Sequence, residues 1–381
     1  MASAQQNIPT TQSALQWVRV SGENPFEWTT SAPVIQPSQL GDHQVLVRNH
    51  AISLNPVDYK MAEFNFANTK LPATTGYDIS GQVVAIGKEV KDLKVGDEVF
   101  GLLNLDSSNG GGALQQYSVA EADGIIKKPS NISHEDAATL GVAFLSAMDG
   151  FRQVNVDSST TVFIPGGSGG VGHFSVQIAK IRGAKRVITS ASKDEGIKIL
   201  KDQYHIQDVI NHAKENVVDR VLELTQNQGV DVAYDSTYLE SSFEKSIPTV
   251  KAGGAWIVLG HYGQPDSQEA KSVAQRKANV IRADLSRYWF GPERAQMKTL
   301  VQDALAQGAE WIIQGKLKPY INQIVKLEEA QNVLEKMKQG KTGFVGFDDL
   351  DFHVVIDYMN KEIILINTAF YPLSNRSIFM R

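Results

Sequence analysis

Residues 161–186 read TVFIPGGSGGVGHFSVQIAKIRGAKR, and the folding of this stretch decides the folding of the chain. Thr161 to Ile164 is a short apolar run, the mark of a buried strand, and it breaks at Pro165 into a glycine-rich turn. Val171, Phe174 and Ile178 then recur at helical spacing, and Gly183 beside Arg182 and Lys185 supplies a stop. Gly167, Gly169 and Gly172 fit G-x-G-x-x-G between strand and helix. A second apolar run, Arg186 to Thr189, begins where the next parallel strand should lie.

A turn of this kind suits a dinucleotide pyrophosphate. Unpaired amides and the positive end of the helix dipole meet the phosphates at a helix N-terminus, and side chains on the turn would block the approach. The candidate cradle is Gly167, Ser168, Gly169, Gly170, Val171 and Gly172. A flexible Gly/Ser linker is the plain alternative, but here strand, helix and next strand are all in place.

Strands and helices alternate beyond the turn: Val187–Ser190, a helix from Asp194 to Tyr204, Asp208–Asn211, a helix over Asn216–Thr225, Val230–Asp235, a helix near Ser242–Val250, then Ala255–Gly260. Such alternation predicts a doubly wound parallel sheet. The region before it is β-rich, with strands expected at Leu15–Val20 and Gln44–Arg48 and a mobile polar lip at Asn104–Gly112. Ser133 with Asp136 three residues on reads as a helix cap leading into the crossover. A helix over Pro292–Ala306 and another over Leu327–Lys338 follow.

A chain of 381 residues is long for one core, and two domains are expected. The division predicted is a β-rich catalytic domain at 1–140, a cofactor domain at 141–288, a return to the first domain at 289–350, and an extension at 351–381 without an assigned role. Alternation at Val354, Val355 and Ile363 to Ile366 would suit one or two added strands there. The net charge of −5 argues against nucleic acid or an anionic membrane as partner. The N-terminus lacks a charged-then-apolar leader and the tail lacks a membrane span, so a cytoplasmic location is expected. Without cysteine, disulfides, thiolate catalysis and Cys-containing zinc sites are excluded.

Together with NPVDYK (55–60), GYDISGQVVAIGKEV (76–90) and KVGDEVFG (94–101), the glycine turn resembles the medium-chain dehydrogenase/reductase superfamily, specifically its zinc-independent quinone oxidoreductase branch, over about Gln16 to Phe347. The resemblance implies an α/β protein with a GroES-like β-rich catalytic domain and a doubly wound parallel Rossmann cofactor domain. Zinc alcohol dehydrogenases of the superfamily carry a Cys three residues before the Asp, and a Gly-His-Glu further on. Here Asn55 precedes Asp58, and Gly76-Tyr77-Asp78 stands at the second place, so the resemblance implies chemistry without a metal. It also implies a homodimer joined at sheet edges.

An NAD site usually puts Asp or Glu at the tip of the second strand. This chain has Ser190, Ser192 and Lys193 there, hydroxyls and a cation suited to a 2′-phosphate, so NADPH is the expected cofactor. Asp194 and Glu195 follow at once, which leaves a solvated helix start open for Ser192 and Lys193. By resemblance His212 lies near the same ribose, Ser146 faces the nicotinamide, and Gly260 and His261 border it. A surface histidine and a helix serine bonded to its own backbone are the alternatives for His212 and Ser146.

Hydride delivery to a quinone or an enone builds negative charge on the acceptor oxygen, which needs a donor. The catalytic candidates are Asn55, Lys60 and Tyr77, with Asp58 read as holding the turn. A structural ion pair is the other reading of Lys60. Phe64, Phe66, Tyr288, Trp289 and Phe290 could wall an apolar pocket or belong to the core. The expected substrate is a small quinone or enone. Two alternatives stay open: an enoyl or 2-alkenal reductase, including trans-acting polyketide enoyl reductases, and a nucleotide-binding protein with little turnover.

Overall fold

The structure is a computed structural model that describes residues 7–20, 22, 24–65, 67–237, 240–260, 267–290, 294–339 and 353–357. The chain opens with β1 (Thr11–Trp17), β2 (Phe26–Pro33), β3 (Gln44–Ser53), α1 (Pro56–Phe64), β4 (Ala73–Thr74), β5 (Asp78–Ile86), β6 (Glu98–Leu102), β7 (Tyr117–Glu121) and β8 (Ile125–Lys127). Helices α2 (His134–Ala138) and α3 (Val142–Arg152) cross over to β9 (Thr161–Ile164). From there α4 (Gly170–Ile181), β10 (Arg186–Ala191), α5 (Asp194–Lys198), β11 (Asp208–Asn211), α6 (Val217–Leu224), β12 (Val230–Asp235), α7 (Glu240–Ser246), β13 (Val250–Leu259), α8 (Gln268–Arg276) and β14 (Asn279–Ala283) alternate. The chain returns through α9 (Arg287–Phe290), α10 (Arg294–Ile313), β15 (Ile321–Val325), α11 (Ala330–Lys338) and β16 (His353–Asp357).

The second sheet runs β11-β10-β9-β12-β13-β14 with every pairing parallel. This is a doubly wound order, and strand direction of travel reverses between β9 and β12, the place where such sheets bind ligands. Val162, Phe163 and Ile164 are wholly buried because helices cover both faces, each burial worth roughly 2 kcal/mol. The first domain is a sheet in the order β15-β16-β3-β5-β6-β8, with β7 also on β3, beside a smaller β2-β1-β4 sheet.

Several elements differ from the sequence reading. The segment 353–357, assigned to an extension, does form the added strand that its alternation suggested, but that strand pairs parallel to β15 and antiparallel to β3 and so belongs to the first sheet. The helix expected to reach Val250 stops at Ser246, because Pro248 turns the chain into a short 3-10 segment before β13. The helix from Asp194 to Tyr204 is α only to Lys198 and continues as a π turn over Ile199–Gln203. The expected lip at Asn104–Gly112 is tied down where it rejoins β7. The Gln115 amide donates to the carbonyls of Gly110, Gly111 and Gly112 at 2.9, 2.9 and 3.0 Å.

Helix α3 joins the two domains. Asp149, 1% exposed, accepts from Arg152 at 2.9 Å, from Arg287 at 2.7 Å and from the Asp284 amide at 3.0 Å, which holds α3 to the chain leaving β14. Among the described residues no helix is long and apolar enough to cross a membrane.

Under the first sheet, His50 Nδ1 meets His134 Nε2 at 2.9 Å, and His134 Nδ1 lies 2.7 Å from Ser80 Oγ, which joins α2 to β3 and β5. Burial, then the positive charges of His134 and Arg48, push His50 from 6.5 down to about 4. The folded protein therefore holds His50 neutral while the unfolded chain protonates it. The His50 contribution to stability is complete above pH 6.5 and is lost as the pH drops toward 4. After allowance for screening by the solvent that reaches the ring, the loss from His50 is on the order of 1 kcal/mol. Urea unfolding in neutral and mildly acidic buffer measures it, and His50→Gln should flatten the dependence; an unchanged slope would contradict the assignment.

Candidate active site

The cofactor side of the site is built on backbone proximity. An ideal Cβ on Gly172 would lie 2.1 Å from the Gly166 carbonyl oxygen, and one on Gly167 would lie 1.9 Å from Thr189 Oγ1. Gly166 itself sits at φ +65°, which a side chain would strain. Glycine at these places lets α4 start against the end of β9. Gly169 is the N-cap and offers no side-chain acceptor, so the amides of Gly170, Val171 and Gly172 open the helix without a cap partner. Ser190 Oγ accepts from the Gly166 amide at 3.2 Å, and the Ser190 carbonyl from the Gly167 amide at 3.0 Å.

The same end of the sheet gathers the other cofactor candidates. Ser168 is 2% exposed and packs against Gly196 of α5, where an added Cβ would come within 2.9 Å of it. That packing brings the start of α5, with half-buried Ser192 and Lys193, to the turn. His212, half-buried, follows β11, and its amide donates to the Ala191 carbonyl at 3.2 Å. Gly260 lies at the end of β13 with φ +75°. His261 lies outside the described residues. Ser146, 3% exposed, is on α3, and its carbonyl accepts the Tyr234 hydroxyl of β12 at 2.7 Å.

On the catalytic side, Pro56 opens α1 and Asp58 Oδ2 accepts the Asn55 amide at 2.6 Å, so Asp58 does hold the turn. Asn55 is fully buried and donates Nδ2 to Asp78 Oδ2 at 2.8 Å. Asp78 Oδ1 accepts the Val142 amide at 2.7 Å, across the domain boundary. Burial raises Asp78 from 3.8 to about 7 against the hydrogen bonds from Asn55, Val142 and Ser53. Burial, with the neighbouring Asp78 charge, also holds Asp58 well above the usual carboxylate range. Tyr77 is fully buried, and burial with the Asp58 charge, against the nearby Ser107 hydroxyl, keeps it a neutral phenol.

Lys60 is half-buried on α1, and burial lowers its ammonium from 10.5 to about 8 in spite of Glu63. Of the aromatic candidates, Phe64 and Tyr288 are the two with described side chains. Phe64 is 45% exposed at the end of α1, Phe66 lies outside the described residues, and Tyr288 packs beside Arg152 and Asp149. Trp289 and Phe290 are described only as backbone of α9.

Three buried groups escaped the sequence reading as site residues. Asp78 was seen only as part of a replaced motif, since its partner at Val142 is distant in sequence. His173 is fully buried in α4, its Nδ1 3.1 Å from the Gly169 carbonyl, and burial lowers it to about 4, so a neutral imidazole supports the glycine cap. Asp235, at the end of β12, accepts from Ser242 and Ser246 at 2.7 Å each and from the Thr237 amide at 3.0 Å, which orders the start of the β12–α7 loop. Acidic residues at strand ends are the only sequence signal for it.

Zinc does not fit the catalytic turn. Asn55 presents its amide nitrogen, a donor, to Asp78, and Tyr77 is a buried phenol. A dinucleotide does fit the glycine turn, whose missing Cβ atoms and open helix amides are what phosphates require.

Fold and site define a two-domain dinucleotide-dependent dehydrogenase or reductase, and comparison with known proteins agrees. The family "Alcohol dehydrogenase GroES-like domain" matches residues 41–130, and "Zinc-binding dehydrogenase" matches 170–307. A 2-methylene-furan-3-one reductase of Solanum lycopersicum is 35% identical over 57% of this chain, which spans only 55% of that relative. The quinone oxidoreductase of Homo sapiens is 28% identical over 78% of this chain and 86% of its own length. Crystal structures of a Pseudomonas syringae quinone oxidoreductase superpose with a TM-score of 0.75 at 26% identity, covering 88% of this chain and 98% of that one. The chain belongs to the medium-chain dehydrogenase/reductase superfamily, among its quinone oxidoreductase-like oxidoreductases.

Gly172→Ala places a methyl group against the Gly166 carbonyl and should weaken dinucleotide binding by about tenfold or more. Fluorescence titration with NADPH checks this; wild-type affinity in the variant would contradict the cradle.

Proposed function

We propose that this protein reduces quinones or related conjugated carbonyls with NADPH, by hydride transfer and without a metal. The observation that carries the reading is the glycine turn at the start of α4, free of side chains at Gly167 and Gly172 and with its first amides open. To this the first domain adds Lys60, on the short helix capped by Asn55, its ammonium lowered by burial to about 8. An acid of this strength near neutral pH can meet the charge that develops on an acceptor oxygen. The relatives named quinone oxidoreductase and 2-methylene-furan-3-one reductase both act, by name, on such carbonyls.

NADPH, when bound, supplies the hydride. The amides of Gly170, Val171 and Gly172 would hold its pyrophosphate, and Ser190, Ser192 and Lys193 its 2′-phosphate. Of the two acids that follow Lys193, Asp194 is exposed and Glu195 lies near Tyr320. Gly260 at the strand end and Ser146 on α3 would border the nicotinamide, with His212 near the ribose. Lys60 would give its proton to the acceptor oxygen, while Asn55 and the buried Tyr77 hold the polarity of the wall behind it.

Turnover of NADPH against a panel of quinones and α,β-unsaturated ketones tests the reading; binding without turnover of any acceptor would contradict it. Lys193→Ala should weaken NADPH by about tenfold and spare NADH, and equal losses would remove Lys193 from the 2′-phosphate. Lys60→Met should lower kcat about a hundredfold. Because only the protonated ammonium donates, wild-type kcat should fall as pH rises through about 8. A variant with unchanged kcat would exclude Lys60.

A further inference from the structure

We infer that Asp78 is a positioning residue for the proposed reduction: its carboxylate holds the Asn55 turn of one domain in register with the first turn of α3 in the crossover to the other. The inference rests on the reductase reading of the site.

Asp78 is fully buried, and each carboxylate oxygen serves a different domain. Oδ2 accepts Asn55 Nδ2 at 2.8 Å, and Oδ1 accepts the Val142 amide at 2.7 Å. Gly141 leaves the space for this contact, since a Cβ there would lie 2.0 Å from Asp78 Oδ1. An anion at this place also meets the positive end of the α3 dipole. Further along α3, the Ser146 carbonyl is tied to Tyr234 of β12 at 2.7 Å, and a Cβ on Gly150 would come within 2.9 Å of Ile257 and Tyr234. Helix α3 therefore cannot move without the parallel sheet. A shift of the carboxylate moves the Asn55 turn relative to that sheet, and misplacement by about 1 Å can cost about a hundredfold in rate.

The ionised carboxylate suits both donors. Neither Asn55 Nδ2 nor the Val142 amide can accept a proton, so a proton on the oxygen that faces either of them weakens that bond; the Ser53 hydroxyl, the third partner of the carboxylate, can accept as well as donate. The ionisable group facing it from α1 is Asp58; Tyr77 precedes it on its own segment, and the first turn of α3 presents Val142 and Ala143. With Asp78 raised to about 7, activity should rise with pH through that value.

The test compares wild type, Asp78→Asn and Gly141→Ala, with NADPH and the best acceptor of the panel. Asp78→Asn should lose about tenfold or more in kcat, keep its NADPH affinity within about twofold, and lose the acid limb of the pH profile. Gly141→Ala keeps the charge but displaces the carboxylate; it should lose kcat similarly and keep the limb. Where Asp78→Asn does not fold, Gly141→Ala decides. Wild-type kcat in either variant, or an acid limb that persists in Asp78→Asn, overturns the positioning role alone. A wild type that turns over no acceptor overturns the reductase reading and this role with it.

Discussion

How closely α4 can approach the end of β9 is the constraint on which the rest of the molecule depends. At Gly172 the margin is a carbonyl oxygen 2.1 Å from where a Cβ would stand, and at Gly167 a threonine hydroxyl 1.9 Å away. Because no side chain intervenes, the helix begins at the switch point between β9 and β12, with its first-turn amides open. The parallel sheet then adds its other strand ends around that point. Ser190 braces the turn, Gly196 brings α5 against Ser168, and Asp235 orders the β12 end.

The first domain solves a different problem, which is how to keep a cluster of polar groups out of water. Asn55, Asp58, Tyr77 and Asp78 are all fully buried or nearly so within a short span of chain. Removal from water raises both carboxyls and lowers the Lys60 ammonium toward neutrality. Groups tuned in this way are the ones that can exchange or hold protons at ordinary pH. They also leave the old ligand positions unsuited to zinc, because an amide nitrogen and a neutral phenol occupy them.

The parallel sheet was legible because its information is local. Apolar runs, glycines and caps each report on a few neighbouring residues, and the Thr161–Arg186 stretch carries all three. The strand-turn-helix there has the expected limits, and β10, β11 and β12 fall within a residue or two of theirs. What failed to show was long-range. Pairing of 353–357 with β3 joins residues some 300 positions apart in the chain, and no local pattern reports that. The same holds for Asp78 and Val142, 64 positions apart. β2, where only Phe26 and Ala32 are buried, carried too little hydrophobic signal to be seen. Of the aromatics read as pocket wall or core, Tyr288 is buried against α3.

The central claim is that the glycine turn and the Asn55 turn together pass a hydride from NADPH to a conjugated carbonyl. Its most direct measurement follows deuterium from the nicotinamide C4 of labelled NADPH into an α,β-unsaturated ketone, read by mass spectrometry of the product. The account predicts a single deuterium at the β-carbon, delivered from one face of the acceptor. Product free of label, or label lost only to solvent while NADPH binds normally, would contradict it.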